Sequence, residues 1–381
     1  MRAYRFAVGW FAVLLPTLAS ADSAYNMRQG VTDISQQVYD LHMTIFLICC
    51  VIGVVVFAAM FWALIHHRKA KGATPAQFHE STKVEILWTA IPFLILIVMA
   101  IPATKTLIAM EDTSKADLTI KVTGSQWKWH YEYMGEGVDF YSVLSTPKEQ
   151  IDNLQAKGEN YLLEVDKPLV IPTGAKVRFL MTSDDVIHSW WVPDFAVKKD
   201  ANPGFINEAW TRVNEAGIYR GQCAELCGKD HGFMPVVVEA KSPDEFATWL
   251  ADAKAAKQRA AAESAALLDQ TLSKEELMAV GEKAYMAYCA ACHQPTGMGL
   301  PGVFPALKGN AVVLGPINDH IDVILHGRPG TAMQAFAKQL SIKDIAGVVT
   351  YKRNSWGNDT GEVVQPSQVQ ARLDATKEEG Q

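Results

Sequence analysis

The sequence predicts a multi-domain membrane protein: a two-helix transmembrane hairpin, then an all-β sandwich or barrel, then an all-α domain. Three observations lead there. Two long apolar segments, Met43 to Ile65 and Ile86 to Ala103, flank a basic loop, His66-His67-Arg68-Lys69-Ala70-Lys71. Between about Asp117 and Ala240, short alternating runs such as Leu118 to Gly124, Lys176 to Met181 and Pro235 to Glu239 are punctuated by Gly and Pro. After Ser242 the composition shifts to Ala, Lys and Glu, and a new cysteine-bearing stretch follows near Ser273.

The first apolar segment carries no charge and is long enough to span a bilayer; the second is just long enough. The positive-inside rule puts the basic loop in the cytoplasm, so everything after Thr104 is exported. Residues 1–21 read as a secretory signal, with Arg2 and Arg5 as its basic start and Ala19-Ser20-Ala21 as its cleavage site. A short first membrane helix is the alternative. The expected organisation is 22–104 for the N-terminal segment and hairpin (helices about 43–65 and 84–103), and 105–241 for the β domain. Residues 242–272 follow as helix and linker, 273–357 as the C-terminal domain, and 358–381 as a polar, disordered tail.

A chain of 381 residues has room for roughly two or three domains, and a formal charge of -6 with no basic patch argues against nucleic acid as a partner. The six cysteines fall in three close pairs, Cys49/Cys50, Cys223/Cys227 and Cys289/Cys292. The first pair lies in an apolar run, where cysteine behaves as a small hydrophobe. The other two have histidine nearby, which suits metal and cofactor chemistry better than a disulfide framework.

The stretch Cys223-Ala-Glu-Leu-Cys227-Gly-Lys-Asp-His231-Gly-Phe-Met234 offers two thiols, one imidazole and one thioether. His188 adds a second imidazole at the end of an apolar run. Thiolate, imidazole and thioether together select copper, with zinc as the competitor. A Cys223–Cys227 disulfide beside unrelated histidines is the plainer alternative. Further on, Cys289-Ala-Ala-Cys292-His293 is the c-type haem attachment motif, against a zinc or redox Cys-x-x-Cys. Its sixth iron ligand must lie downstream. Met333 is the best candidate, with Met298, His320 and His326 as rivals, and thioether opposite imidazole raises the potential.

The pattern His188, Cys223-x3-Cys227-x3-His231-x2-Met234 resembles the dinuclear copper (CuA) site of cytochrome c oxidase subunit II. The resemblance implies a cupredoxin-like Greek-key fold for the β domain. It also implies copper ligation by His188, Cys223, the Glu225 carbonyl, Cys227, His231 and Met234. The Glu225 carboxylate would bind a magnesium ion shared with the catalytic subunit, and a hard oxygen ligand suits that ion. Gly124-Ser-Gln126-Trp127-Lys-Trp129-His-Tyr131-Glu-Tyr133 is similar to the family's aromatic segment, which makes Trp127 the point where electrons enter. By alternation alone, Trp127, Trp129, Tyr131 and Tyr133 would be core residues. Glu85-Ile86-Leu87-Trp88-Thr89-Ala90-Ile91-Pro92 is similar to the family string that places a carboxylate at the mouth of a proton channel. From physics alone Glu85 is an interfacial residue.

The C-terminal domain resembles a class I cytochrome c. Asp344 to Tyr351 would be its last helix, and Pro305 would be the residue whose carbonyl steadies the His293 ring. Two departures stand out: Phe205 occupies a position where the family commonly has Arg, and Gln334 replaces the Pro common after the ligand Met.

Together the resemblances imply subunit II of a bacterial terminal oxidase with a fused cytochrome c. Its partners would be the haem-copper subunit I, subunit III, membrane lipid, and a cytochrome c or quinol–cytochrome c reductase as donor. Its place would be the bacterial inner membrane, with the copper and haem domains on the periplasmic face. A quinol-oxidase subunit lacks the copper ligands. The CuA-bearing small subunit of a nitric oxide reductase and a membrane-anchored copper/haem carrier are the competing readings.

Overall fold

The computed structural model describes residues 26–379 apart from 75, 76 and 78. The expected signal segment, residues 1–21, lies outside the described residues.

Helix α1 (Asp33–His66) starts where Thr32 supplies a capping box: its Oγ1 accepts from Ser35 N at 3.0 Å, and Ser35 Oγ accepts from Thr32 N at 2.9 Å. Helix α2 (Thr82–Glu111) runs back antiparallel to it with Pro92 and Pro102 inside. Both are long and apolar enough to cross a membrane, and their outward side chains, Phe57, Trp62, Trp88 and Phe93 among them, are exposed. Both helices run past the expected apolar spans because tertiary contacts hold their exported ends. Thr32 Oγ1 donates to Phe195 O at 3.1 Å, and Trp210 Nε1 donates to Ala109 O at 3.0 Å. The hairpin is therefore bolted to the exported domain at both ends.

That domain is a sandwich of two five-stranded sheets. One has the order β3 (Val138–Ser142), β2 (Lys128–Tyr133), β1 (Leu118–Ser125), β5 (Val177–Ser183), β8 (Asn207–Thr211). The other runs β4 (Leu169–Pro172), β10 (Pro235–Lys241), β9 (Gly217–Cys223), β6 (His188–Val192), β7 (Val197–Ala201). A single turn of helix, α3 (Lys148–Ile151), lies in the β3–β4 connection. Pairing is antiparallel except for β1 with β5 and β4 with β10. Alternation along β1, β2 and β5 turns Ile120, Val122, Trp129, Tyr131, Tyr133, Phe179 and Met181 into one core, where they meet Trp190, Val192 and Val238 of the facing sheet.

Helix α4 (Pro243–Ala266) follows, capped by a Ser242–Glu245 box. Phe246, Trp249 and Leu250 pack on the sandwich, and Lys254 pairs with Glu136. The helical domain then comprises α5 (Lys274–Tyr288), α6 (Ala290–His293), α7 (Ala311–Leu314), α8 (Ile317–His326), α9 (Ile342–Asn354) and α10 (Pro366–Glu379). α5 crosses α9 at two glycines: a Cβ on Gly281 would stand 2.0 Å from Gly347 O, so the backbones touch where side chains would not fit.

The C-terminal stretch departs from expectation. It is an ordered helix, not a disordered tail, and α9 is therefore not the last helix. Val364 and Val369 are fully buried in the helical core. Gln365 exchanges hydrogen bonds with the backbone of Leu272 at 2.9 and 3.0 Å, and Arg372 pairs with Asp322 at 2.6 and 2.7 Å. Val363 and Leu373 pack on the same core, so a segment of polar average composition is held by a few apolar side chains and two polar anchors.

Candidate metal and haem centres

The expected copper ligands converge at one end of the sandwich. His188 opens β6, Cys223 closes β9, and Cys227 and His231 lie in the loop that follows, which ends at Met234 before β10. Cys223 Sγ and Cys227 Sγ stand 3.8 Å apart, well beyond the roughly 2 Å of a disulfide, and both thiols are free. His188 Nδ1 lies 3.9 Å from Cys223 Sγ, and His231 Nδ1 lies 3.4 Å from Cys227 Sγ. The Glu225 carbonyl faces Cys223 Sγ at 3.4 Å. Met234 is buried in the same core and its carbonyl accepts from Cys223 N at 3.0 Å. The donor atoms of His188, Cys223 and Cys227 all lie within 4.8 Å of one another. Each thiol thus has its own imidazole, an arrangement that fits two soft cations bridged by two sulfurs.

Space for the cluster is made by Gly124. A Cβ there would meet His188 Cδ2 at 2.8 Å, so only glycine lets β1 pass the ring. Two residues not anticipated from the sequence order the site. Asp185 Oδ1 takes His188 Nε2 at 2.9 Å, while its other oxygen accepts from Gln126 N at 2.8 Å. Gln126 Nε2 in turn donates to the Cys227 carbonyl at 2.9 Å, which Trp127 Nε1 also reaches at 3.2 Å. The one sequence signal was an acid three positions before the ligand histidine.

The thiols titrate as a unit. A hydrogen bond from Cys227, with His188 nearby, brings Cys223 down to about 3. The Cys223 thiolate then holds the Cys227 proton and pushes that thiol far up. Burial opposes the charged form of His188, but the hydrogen bonds to Asp185 and Cys223 outweigh it and raise its pKa.

In the helical domain, α6 carries Ala290 to His293 directly after Cys289, so both thiols and the imidazole leave one short turn. His293 Nδ1 meets the Pro305 carbonyl at 2.9 Å, leaving Nε2 for an iron, and burial lowers the ring's pKa so that it stays neutral. These donors fit a covalently attached haem. Of the candidate sixth ligands, Met333 packs against the helical core, Met298 is exposed, and His320 is buried in α8 with its Nδ1 unpartnered among the described residues.

Trp129, Tyr131 and Tyr133 are core residues, whereas Trp127 precedes β2 and lies over the copper-ligand loop. Glu225 points its side chain to the surface. Glu85 sits in the first turn of α2, exposed, at the far end of the hairpin from both centres.

Fold and donor set define a membrane-anchored β-sandwich metalloprotein with a c-type haem domain attached. Residues 118–241 match the family "Cytochrome C oxidase subunit II, periplasmic domain", 20–106 match its transmembrane domain, and 276–351 match "Cytochrome C oxidase, cbb3-type, subunit III". Among relatives, "Probable cytochrome c oxidase subunit 2" of Rickettsia prowazekii is 42% identical over 219 residues, covering 57% of this chain and 68% of that one. "Cytochrome c oxidase subunit 2" of Chondrus crispus is 36% identical over 246 residues, covering 62% and 95%. A solved periplasmic domain of subunit II of cytochrome oxidase from Bradyrhizobium japonicum is 42% identical, covering 37% of this chain and 96% of that one, with a TM-score of 0.34. The chain belongs to the cytochrome c oxidase subunit II family. Its C-terminal region matches a cytochrome c-type domain, so it is a subunit II to which such a domain is fused.

Proposed function

We propose that this chain delivers electrons to the haem-copper subunit I of a bacterial aerobic terminal oxidase, where oxygen is reduced to water and protons are translocated. Electrons from a cytochrome c or a quinol–cytochrome c reductase reach the helical domain first, then the copper domain, then subunit I. Cys289, Cys292, His293 and Met333 would hold the haem. His188, Cys223, the Glu225 carbonyl, Cys227, His231 and Met234 would hold the copper pair. Bound there, the two groups supply one-electron redox chemistry at nearly constant geometry. The chain's own residues fix the potentials and the path. Asp185 sets the orientation of His188, Pro305 that of His293, and Trp127 connects the surface to the Cys227 carbonyl.

In this reading the exposed Glu225 carboxylate would share a magnesium ion with subunit I. Glu85, on the cytoplasmic side in this reading, would lie at the mouth of a proton channel in that subunit. Subunit III and the bacterial inner membrane complete the setting.

The observation that carries this reading is the pair of thiols 3.8 Å apart, each with its own imidazole, with Trp127 Nε1 on the Cys227 carbonyl at 3.2 Å. Metal analysis with electron paramagnetic resonance tests it. Two coppers per haem sharing one unpaired electron support it, and a single copper or a zinc overturns it. Oxygen uptake without nitric oxide uptake by the purified complex separates an oxidase from a nitric oxide reductase.

A further inference from the structure

The helical domain does not hang free on its linker. Among the described residues, three contacts join it to the copper domain, and all three involve residues beside the two centres. Lys229, between Cys227 and His231 in the copper-ligand loop, donates from Nζ to the carbonyl of Ala291 at 3.2 Å. Ala291 itself lies between Cys289 and Cys292, in the turn that carries the haem thiols. Gln334, the residue after Met333, donates from Nε2 to the carbonyl of Gln126, the residue before Trp127. Lys128, the residue after Trp127, is buried with its ammonium 5.6 Å from the Tyr141 ring of its own domain and 5.3 Å from the Phe336 ring of the other.

The sequence logic of these contacts is specific. Residues on both sides of Trp127 are gripped by residues of the segment that follows Met333. The copper-ligand loop is gripped by the haem-attachment turn. A proline at position 334 would have no side-chain donor for the Gln126 carbonyl, so the departure from the cytochrome pattern coincides with an interdomain hydrogen bond. A cation between two aromatic faces adds a directional contact, and electron transfer rewards a fixed separation more than a large buried area.

Resting on the function proposed above, we propose that the face formed by Ala291, Gln334 and Phe336 is the resident occupant of the Trp127 surface, with Gln334 and Lys229 as its positioning residues. The copper domain then receives electrons from its own helical domain, and an external donor is served by another face of that domain.

The test uses the full-length, copper- and haem-loaded chain in detergent, comparing the parent with Gln334→Ala/Lys229→Ala and with Lys229→Arg. Hydrogen exchange is followed in peptides covering Gln126–Trp127 and Ala290–His293, and haem-to-copper transfer is timed after flash reduction. We expect the double variant to exchange at least tenfold faster in both peptides and to transfer at least tenfold more slowly, with both optical spectra unchanged. Lys229→Arg, which keeps the donor, should match the parent. Unchanged exchange and transfer in the double variant would overturn the proposal. Should that variant lose its spectra, the pulsed-resonance distance between the oxidised centres of the parent decides: one narrow distance supports docking, and a broad spread refutes it. A parent chain that is protected at both peptides yet transfers no electrons would instead count against the proposed function.

Discussion

Asp185 and Gln126 are joined side chain to backbone at 2.8 Å, and through that bond one carboxylate serves both the ligand histidine and the segment that carries Trp127. The orientation of His188 and the seat of Trp127 are therefore set by one residue. For Asp185→Asn we expect copper affinity to fall roughly 10- to 100-fold, the usual cost of losing an outer partner of a ligand histidine. Competition titration against a copper chelator measures it. Unchanged affinity would mean that backbone packing alone holds the ring.

Met234 tests the weakest expected ligand. Met234→Leu conserves volume in a buried position, so the fold should lose less than about 1.5 kcal/mol. The copper potential should shift while the paired-copper spectrum persists. Redox titration with an unaltered potential would remove Met234 from the ligand set.

The α5–α9 crossing is sharper still. Gly281→Ala would place a methyl carbon 2.0 Å from Gly347 O, so the two helices must move apart. The helical domain should lose roughly 2–3 kcal/mol or more, read as a lower melting temperature of the haem band. The copper spectrum should not change, because that centre belongs to a separate core.

Lys128 gives a pH dependence of definite sign. Burial pushes its ammonium from 10.5 down to about 8, with Asp185 and Asp184 pulling the other way. The unfolded chain then holds this proton more tightly than the folded one. The cost of burying the charge is fully present below pH 8 and is relieved as pH rises toward 10.5, by up to about 3 kcal/mol. Thermal unfolding of Lys128→Met should lack this share of the slope between pH 8 and 10. Equal slopes in parent and variant would place the ammonium in water.

At the cytoplasmic end, Glu85→Gln should slow oxidase turnover several-fold and leave the copper and haem spectra untouched. Unchanged turnover in the assembled complex would return Glu85 to an ordinary interfacial role.

Most of the expected ligands of both centres were legible in the sequence because they are local, whereas His188 and Met333 lie far along the chain from their partners. Cys223 to Met234 form one loop and Cys289 to His293 one turn, so spacing alone nearly fixes the donor set. The Pro305 partner of His293 was legible through resemblance. Asp185, Gln126 and Lys128 were not, because their roles come from chain crossings that no period reveals. Lys128 in particular is buried although strand alternation would turn the neighbour of the core residue Trp129 outward. Gln334 was visible as a departure, but its partner lies 208 positions away in the sequence. The C-terminal helix α10 was not legible because Val363, Val364, Val369 and Leu373, which pack on the helical core, are too few to mark an apolar face in a polar stretch.

Helix α4 is one continuous rod, rooted in the sandwich by Phe246 and Trp249 and delivered directly to the helical domain. Such a tether sets a local concentration. Two domains joined by a short, semi-rigid spacer meet as if at roughly millimolar concentration, whatever the dilution of the surroundings. Encounter between the two domains then ceases to depend on diffusion through the bulk. In the proposed route, the supply of reducing equivalents is then set by how often an outside donor visits, not by the encounter of the two domains.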